Sequence, residues 1–155
     1  MRTDNAPQNL KEYVTAMIGG QLFGLSILRV QDVFLPERLT KVPLAPPEVA
    51  GVLNLRGRIV TLIDMRKSLG LEARAEPGQT MAIGVEWRGE SYGLLIDSVG
   101  EVLKLDAAAR EPNPINLDPR LARVSAGIHR LDGQLLMVVD VDRVLDAGQP
   151  KAAAA

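Results

Sequence analysis

Three acids near the C-terminus, Asp140, Asp142 and Asp146, are the nearest approach to a metal-ligating cluster in this chain. Carboxylate oxygens gathered in this way suit a hard divalent cation. The same residues also read as a helix cap followed by solvated positions, because an Asp carboxylate accepts the free N–H groups of a first helical turn. Asp64-Met-Arg66 repeats the pattern without the second acid, as a cap predicts and a metal site does not. His129 has no Cys, Ser or paired acid at triad spacing and reads as a loop histidine. Ser125-Ala-Gly127 lacks the flanking glycines of a nucleophile elbow. Neither a phosphate loop nor a dinucleotide fingerprint is present. Trp87, at a hairpin edge, reads as packing rather than a ligand platform. Arg56 remains: an arginine in a tight turn beside a groove can pair with a carboxylate through two bonds and fix a loop or a partner. The plainer alternative is a solvated turn arginine.

Composition narrows the chemistry further. With no Cys there are no disulfides, thiolate zinc sites, Fe–S clusters or cysteine nucleophiles. A single His excludes any metal site built from several histidines. Eighteen Lys+Arg against 19 Asp+Glu leave a net charge of −1, too little field to attract nucleic acid or anionic lipid. Two Phe, two Tyr and one Trp are too few for a base-stacking surface, which argues against an RNA-binding barrel. The first eight residues are polar, without a signal-peptide apolar stretch. The longest strongly apolar run, Leu135–Val139, is far below a membrane span. A cytoplasmic, non-catalytic protein without cofactor, nucleic-acid partner or direct membrane insertion is expected.

The elements that would position Arg56 come as two copies. Ile18–Val33 laid over Trp87–Val102 gives six identities in 16 positions, where composition predicts about one. Gly51–Leu69 laid over Gly127–Leu145 matches Gly51/Gly127, Leu55/Leu131, Gly57/Gly133, Asp64/Asp140 and Leu69/Leu145. The first offset is 69 and the second 76, so the proline-rich connection is longer by seven residues in the second copy. Gly19-Gly20, Arg88-Gly89, Arg56-Gly57 and Asp132-Gly133 mark hairpin turns. In both copies the apolar alternation slips after Ile27 or Ile96 and resumes at Val30 or Val99, which suggests a corner. Asp64–Gly70 and Asp140–Gly148 read as short capped helices. Short bent strands with glycine corners predict a small, partly closed barrel per copy, two side by side sharing a core with a groove between them. Residues 1–148 are thus expected to form one domain of two duplicated barrel units, approximately 12–70 and 80–148, with 149–155 a disordered tail. The copies differ at the second hairpin: Asn54-Leu55-Arg56-Gly57 against Arg130-Leu131-Asp132-Gly133. Fold accounts for Leu55 and Gly57; Asn54 and Arg56 are left over.

Gly51-Val-Leu-Asn-Leu-Arg-Gly-Arg-Ile-Val-Thr-Leu-Ile-Asp64 resembles the Asn-Leu-Arg-Gly signature of the CheW family of chemotaxis adaptors. The resemblance runs from about Glu12 to Asp146, including Ile27–Val33, Gly93–Val102, Gly127 and Val138-Val-Asp-Val-Asp142. It implies a mostly β fold of two SH3-like five-stranded barrels packed side by side, with short helices. It also implies a protein that is not an enzyme and that couples the cytoplasmic tips of methyl-accepting chemoreceptors to the histidine kinase CheA, through that kinase's own CheW-like domain. On this resemblance Val30, Val33 and Val99 match apolar groove positions that receive the receptor's helical tip. Asp32 matches an acid, usually Glu, that pairs with Arg56; Asn54, Leu55 and Gly57 complete the signature. Thr61 stands where a proline is common. Glu111 and Pro112 fall in the region expected to contact the kinase, where some members carry a basic residue before the proline.

The expected molecule is a monomer alone that joins kinase domains end to end into rings or arrays, because a barrel has two ends, and that is recruited to membrane receptor arrays. The same fold could serve another chemosensory or motility pathway. A carboxylate-metal enzyme using Asp140, Asp142 and Asp146 is the alternative of a different class.

Overall fold

The computed structural model describes residues 9–72 and 80–147. The expectations for the N-terminal eight residues and for the 149–155 tail lie outside these. Ten strands carry the fold: β1 (Leu10–Ile18), β2 (Gln21–Ser26), β3 (Asp32–Phe34), β4 (Val49–Leu55), β5 (Arg58–Asp64), β6 (Met81–Trp87), β7 (Glu90–Ile96), β8 (Ser98–Asp106), β9 (Ser125–Leu131) and β10 (Gln134–Val139). Of the short helices, α1 (Met65–Ser68) and α2 (Pro119–Val124) connect strands and α3 (Val141–Ala147) follows the last strand.

The turns follow from their residues. Gly19-Gly20, Arg56-Gly57 and Arg88-Gly89 each place two consecutive residues at positive φ, the twist that suits a two-residue hairpin. Asp64 accepts N–H bonds from Arg66 and Lys67 and so starts α1, and Gly70 at φ +74 ends that turn. Asp140 does the same for α3, its Oδ1 accepting from the Arg143 N–H at 3.1 Å. Asp118 caps α2 through the Arg120 N–H, with Pro119 at the first helical position.

Two five-stranded mixed sheets result, ordered β8-β1-β2-β10-β9 and β3-β6-β7-β5-β4. Neither is a closed barrel. The segment leaving the outer strand of each sheet returns to the opposite edge through one isolated bridge, Glu111↔Ile128 in the first and Thr40↔Val52 in the second.

The sheets also depart from the expected contiguous units at 12–70 and 80–148. The β1–β2 hairpin of the first copy lies between β8 and β10 of the second; the β6–β7 hairpin of the second lies between β3 and β5 of the first. The joints are antiparallel on one side (β1/β8, β3/β6) and parallel on the other (β2/β10, β5/β7). The exchange happens at the corner marked by the slip in alternation. A 3-10 turn at Ile27–Arg29, capped by the Ser26 hydroxyl, carries the chain from one sheet to the other. Strand pairing uses backbone groups common to both copies, so self-similarity alone does not say which copy a hairpin joins.

Exchange explains the core. Twenty buried residues form one central cluster drawn from both sheets and from α1 to α3, among them Phe23, Leu25, Ile83, Trp87, Leu94 and Leu145. Among the described residues each sheet adds a smaller cluster of three buried apolar side chains, Tyr13, Leu136 and Val138 in one and Leu53, Val60 and Leu62 in the other. Burying apolar area is the main favourable term in folding, so the layer between the sheets is the chief source of stability. Trp87 belongs to it and is 8% exposed, a packing residue as expected.

Candidate functional site

Arg56 stands at the first central position of the β4–β5 turn, at φ +53. A non-glycine residue there stores on the order of 1 kcal/mol of strain. Asn54 relieves the turn: its Oδ1 accepts the Gly57 N–H at 2.9 Å. Asn54 therefore has a role in the fold that the sequence comparison left open, and Gly57 is needed for the turn. Arg56 has none in the turn itself, and its side chain reaches out to Asp32, Nη1 to Oδ2 at 3.3 Å. The Arg56 side chain is 75% exposed and that of Asp32 26%. At the matching places of the second copy stand Asp132 and the exposed Glu101, both acidic. This charge pair belongs to one sheet only.

Strand β3 divides the candidate groove residues. It is the edge strand of its sheet. Val33 lies opposite Ile83, a residue of the central core, while Asp32 lies opposite Gly84. Period-two alternation therefore puts Val33 on the face toward the other sheet and Asp32 with Phe34 on the reverse face. Val30 and Val99, at the two crossings between sheets, are half-buried against the central cluster, and Val33 is 40% exposed. Val30 and Val99 thus touch the central cluster, and Val33 faces the same side from the edge of its sheet. The Asp32–Arg56 pair borders β3 from the other side.

A depression of about 580 Å³ lies next to that pair, walled by Phe34, Leu35, Asn54, Leu55 and Ile59 among others. Leu35 and Ile59 are exposed apolar residues that sequence reading passed over. One signal was available: the first copy has Leu35 where the second has Lys104.

Glu111 and Pro112 lie on the other sheet. Glu111 bridges Ile128 of β9, and both its carboxylate oxygens accept from Arg130 Nε, at 2.8 and 3.0 Å. Pro112 is exposed.

The acids that could have held a cation are each directed elsewhere. Asp140 caps α3, Asp142 pairs with Arg29 at 3.0 Å, and Asp146 approaches Arg88 at 3.7 Å. Among the described residues no group of three His, Cys, Asp or Glu is arranged to hold a metal ion.

His129 is not a loop histidine. It sits in β9, 2% exposed, at the place Leu53 takes in the first copy, because alternation turns that position inward. Its ring lies 5.9 Å from that of Tyr13, and Nε2 has no hydrogen-bond partner. Burial, with Arg110 nearby, holds its pKa below the usual histidine value.

A second ion pair escaped the sequence reading. Arg66 of α1 holds Asp97, the corner residue after β7, by two bonds, and the Asp97 carboxylate also accepts the Gly19 N–H of the other sheet's hairpin at 2.9 Å. The hydrogen bond to Asp97 raises the Arg66 pKa.

Exchanged hairpins, a shared core, exposed apolar residues and paired surface charges suit a protein-interaction module. A family profile described as "CheW-like domain" matches residues 12–149, and the chain belongs to that family. It is 27% identical over 137 residues to the chemotaxis protein CheW of Klebsiella aerogenes, covering 88% of this chain and 82% of that one. It is 26% identical over 143 residues to the chemotaxis protein CheW of Rhizobium meliloti, covering 92% of each. Among solved structures it is similar to the scaffolding protein TtCheW of Thermoanaerobacter tengcongensis, with a TM-score of 0.78 and 30% identity over 87% of this chain and 92% of that one. The family is one of chemotaxis adaptors. No helix among the described residues is long and apolar enough to cross a membrane.

Proposed function

We propose that the chain couples chemoreceptor cytoplasmic tips to the histidine kinase CheA as a non-catalytic scaffold, recruited from the cytoplasm to membrane receptor arrays. The receptor helix lies along the rim of β3, where Val30, Val33 and Val99 offer the apolar seam and Asp32 with Arg56, beside Asn54, Leu55 and Gly57, the polar border. An amphipathic helix reads such a surface by i, i+3 and i+4 anchors. The kinase's CheW-like domain docks at a different place, with Glu111 and Pro112 the candidate contacts. The observation that carries this reading is the separation of the two sets: Asp32–Arg56 on one sheet, Glu111–Arg130 on the other. Two separate faces allow one molecule to bridge two partners, and weak contacts then gain from effective concentration in an array.

The test is competition. The protein is saturated with a receptor cytoplasmic fragment and titrated with the isolated CheW-like domain of the kinase. Both ligands bind at once if the faces are separate, and Val33→Asp weakens only the receptor arm. Mutual exclusion without a change in fold refutes the bridging scaffold.

A further inference from the structure

Asp32 and Gly84 face each other across the β3–β6 pair. A Cβ built on Gly84 collides with Asp32 Oδ1, so the carboxylate lies in the space a side chain at 84 would fill. The other oxygen, Oδ2, is the one that accepts from Arg56. The backbone at this point is held firmly. Gly84 pairs with Gly93 on its other side, and its carbonyl accepts the Gln31 N–H at 2.7 Å. Its φ lies outside the range that only glycine tolerates. Glycine inside a paired strand weakens it and often marks a close approach. Space for the Asp32 carboxylate is the reason for a glycine here.

We infer that Gly84, on the exchanged hairpin, is a positioning residue for the Asp32–Arg56 pair. Without a side chain at 84 the short Asp32 carboxylate lies flat on β6 and aims Oδ2 at Arg56; a methyl group at 84 turns it away. Glutamate, one methylene longer, clears the methyl and reaches Arg56 again. The consequence for receptor binding rests on the reading proposed above; the consequence for the pair does not.

The experiment uses the full chain with Gly84→Ala, Asp32→Ala, Arg56→Ala, Gly84→Ala/Asp32→Ala and Gly84→Ala/Asp32→Glu. Two readouts are taken: the NMR resonance of the Arg56 guanidinium, and affinity for a chemoreceptor cytoplasmic fragment. In Gly84→Ala the Arg56 resonance moves to its position in Asp32→Ala, and in Gly84→Ala/Asp32→Glu it returns toward wild type. Affinity falls by up to about fivefold in Gly84→Ala, the most an exposed pair of this kind supplies, with no further loss when Asp32→Ala is added. Should Gly84→Ala fold poorly, Gly84→Ala/Asp32→Ala recovers its melting temperature, because the opposing oxygen is gone. An Arg56 resonance unmoved by Gly84→Ala, or a poorly folded Gly84→Ala that Asp32→Ala does not restore, overturns the inference. If Asp32→Ala and Arg56→Ala bind the fragment like wild type, the receptor reading fails instead, and the resonance still decides the role of Gly84.

Discussion

Arg66 and Asp97 meet in a two-bonded ion pair, Nε to Oδ1 at 3.0 Å and Nη2 to Oδ2 at 2.6 Å, where a helix after one sheet receives the hairpin of the other. Both side chains are about one-fifth exposed. The related junction on the other side of the molecule reverses the charges: Arg29 follows β2 and Asp142 lies in α3, 3.0 Å apart and more exposed.

The two junctions differ in expected strength. A charge-assisted, half-desolvated pair that also holds the Gly19 N–H contributes more than an exposed one. Arg66→Ala is expected to lower unfolding stability by about 2 kcal/mol, and Asp142→Ala by less than about 1 kcal/mol. Urea unfolding of both variants checks this; equal losses contradict the ranking.

Asp32 and Arg56 form an exposed pair, so their coupling in stability is expected below about 1 kcal/mol. Full desolvation would have made removal of one partner cost about 3–5 kcal/mol, and an arginine 75% exposed is far from that limit. Their coupling is expected to appear in receptor-fragment binding. A double-mutant cycle measured on both quantities separates the two; additive effects on binding show that the residues do not communicate there.

His129 makes stability depend on pH. Its folded pKa lies below the unfolded value because burial, reinforced by Arg110, disfavours the charged ring. Asp106 and Glu111, which oppose the shift, do not cancel it. The unfolded chain therefore binds more protons, and stability rises with pH. It is complete above the unfolded value of about 6.5 and falls as pH drops from there toward the depressed folded value. His129→Leu, the residue of the first copy, removes this part of the slope. Urea midpoints at several pH values between neutral and mildly acidic test it; identical slopes in both proteins count against the assignment.

Asp64 and Asp140 are expected to act alike, as caps. Replacing either by Ala costs about 1 kcal/mol of stability. Calorimetry with Mg²⁺ or Ca²⁺ is expected to show no stoichiometric heat in wild type. Saturable binding lost in Asp140→Asn restores the carboxylate-metal alternative.

The duplication, the four hairpin turns, both Asp caps and the corners were legible because each rests on local chemistry: positive φ, a free N–H, a change of period. The exchange of hairpins was not. Val30 and Val99 carry the same signal whether the next strand joins its own copy or the other. Arg66–Asp97 stayed hidden for that reason, since it depends on which sheet β7 enters. His129 was misread as a loop residue although its alignment with Leu53 already placed it on an inward position. Arg56 was visible as a residue the duplication left over, and Asp32 entered through the family resemblance, but Gly84 was not visible. Its meaning appears only when a strand from far along the chain is laid beside β3.

The hairpin exchange also orders events on the ribosome. When β3 emerges, its neighbour β6 has not been made, and β1 must wait for β8 and β2 for β10. A growing chain therefore carries unpaired strand edges until nearly all of it has been translated, a state prone to adhesion with other nascent chains. Contacts between segments so far apart also require long loops to close before they are rewarded, which slows folding. The rim of β3 and its underlying glycine come together only after the β6–β7 hairpin has inserted. A truncated product that stops before β6 cannot build that surface.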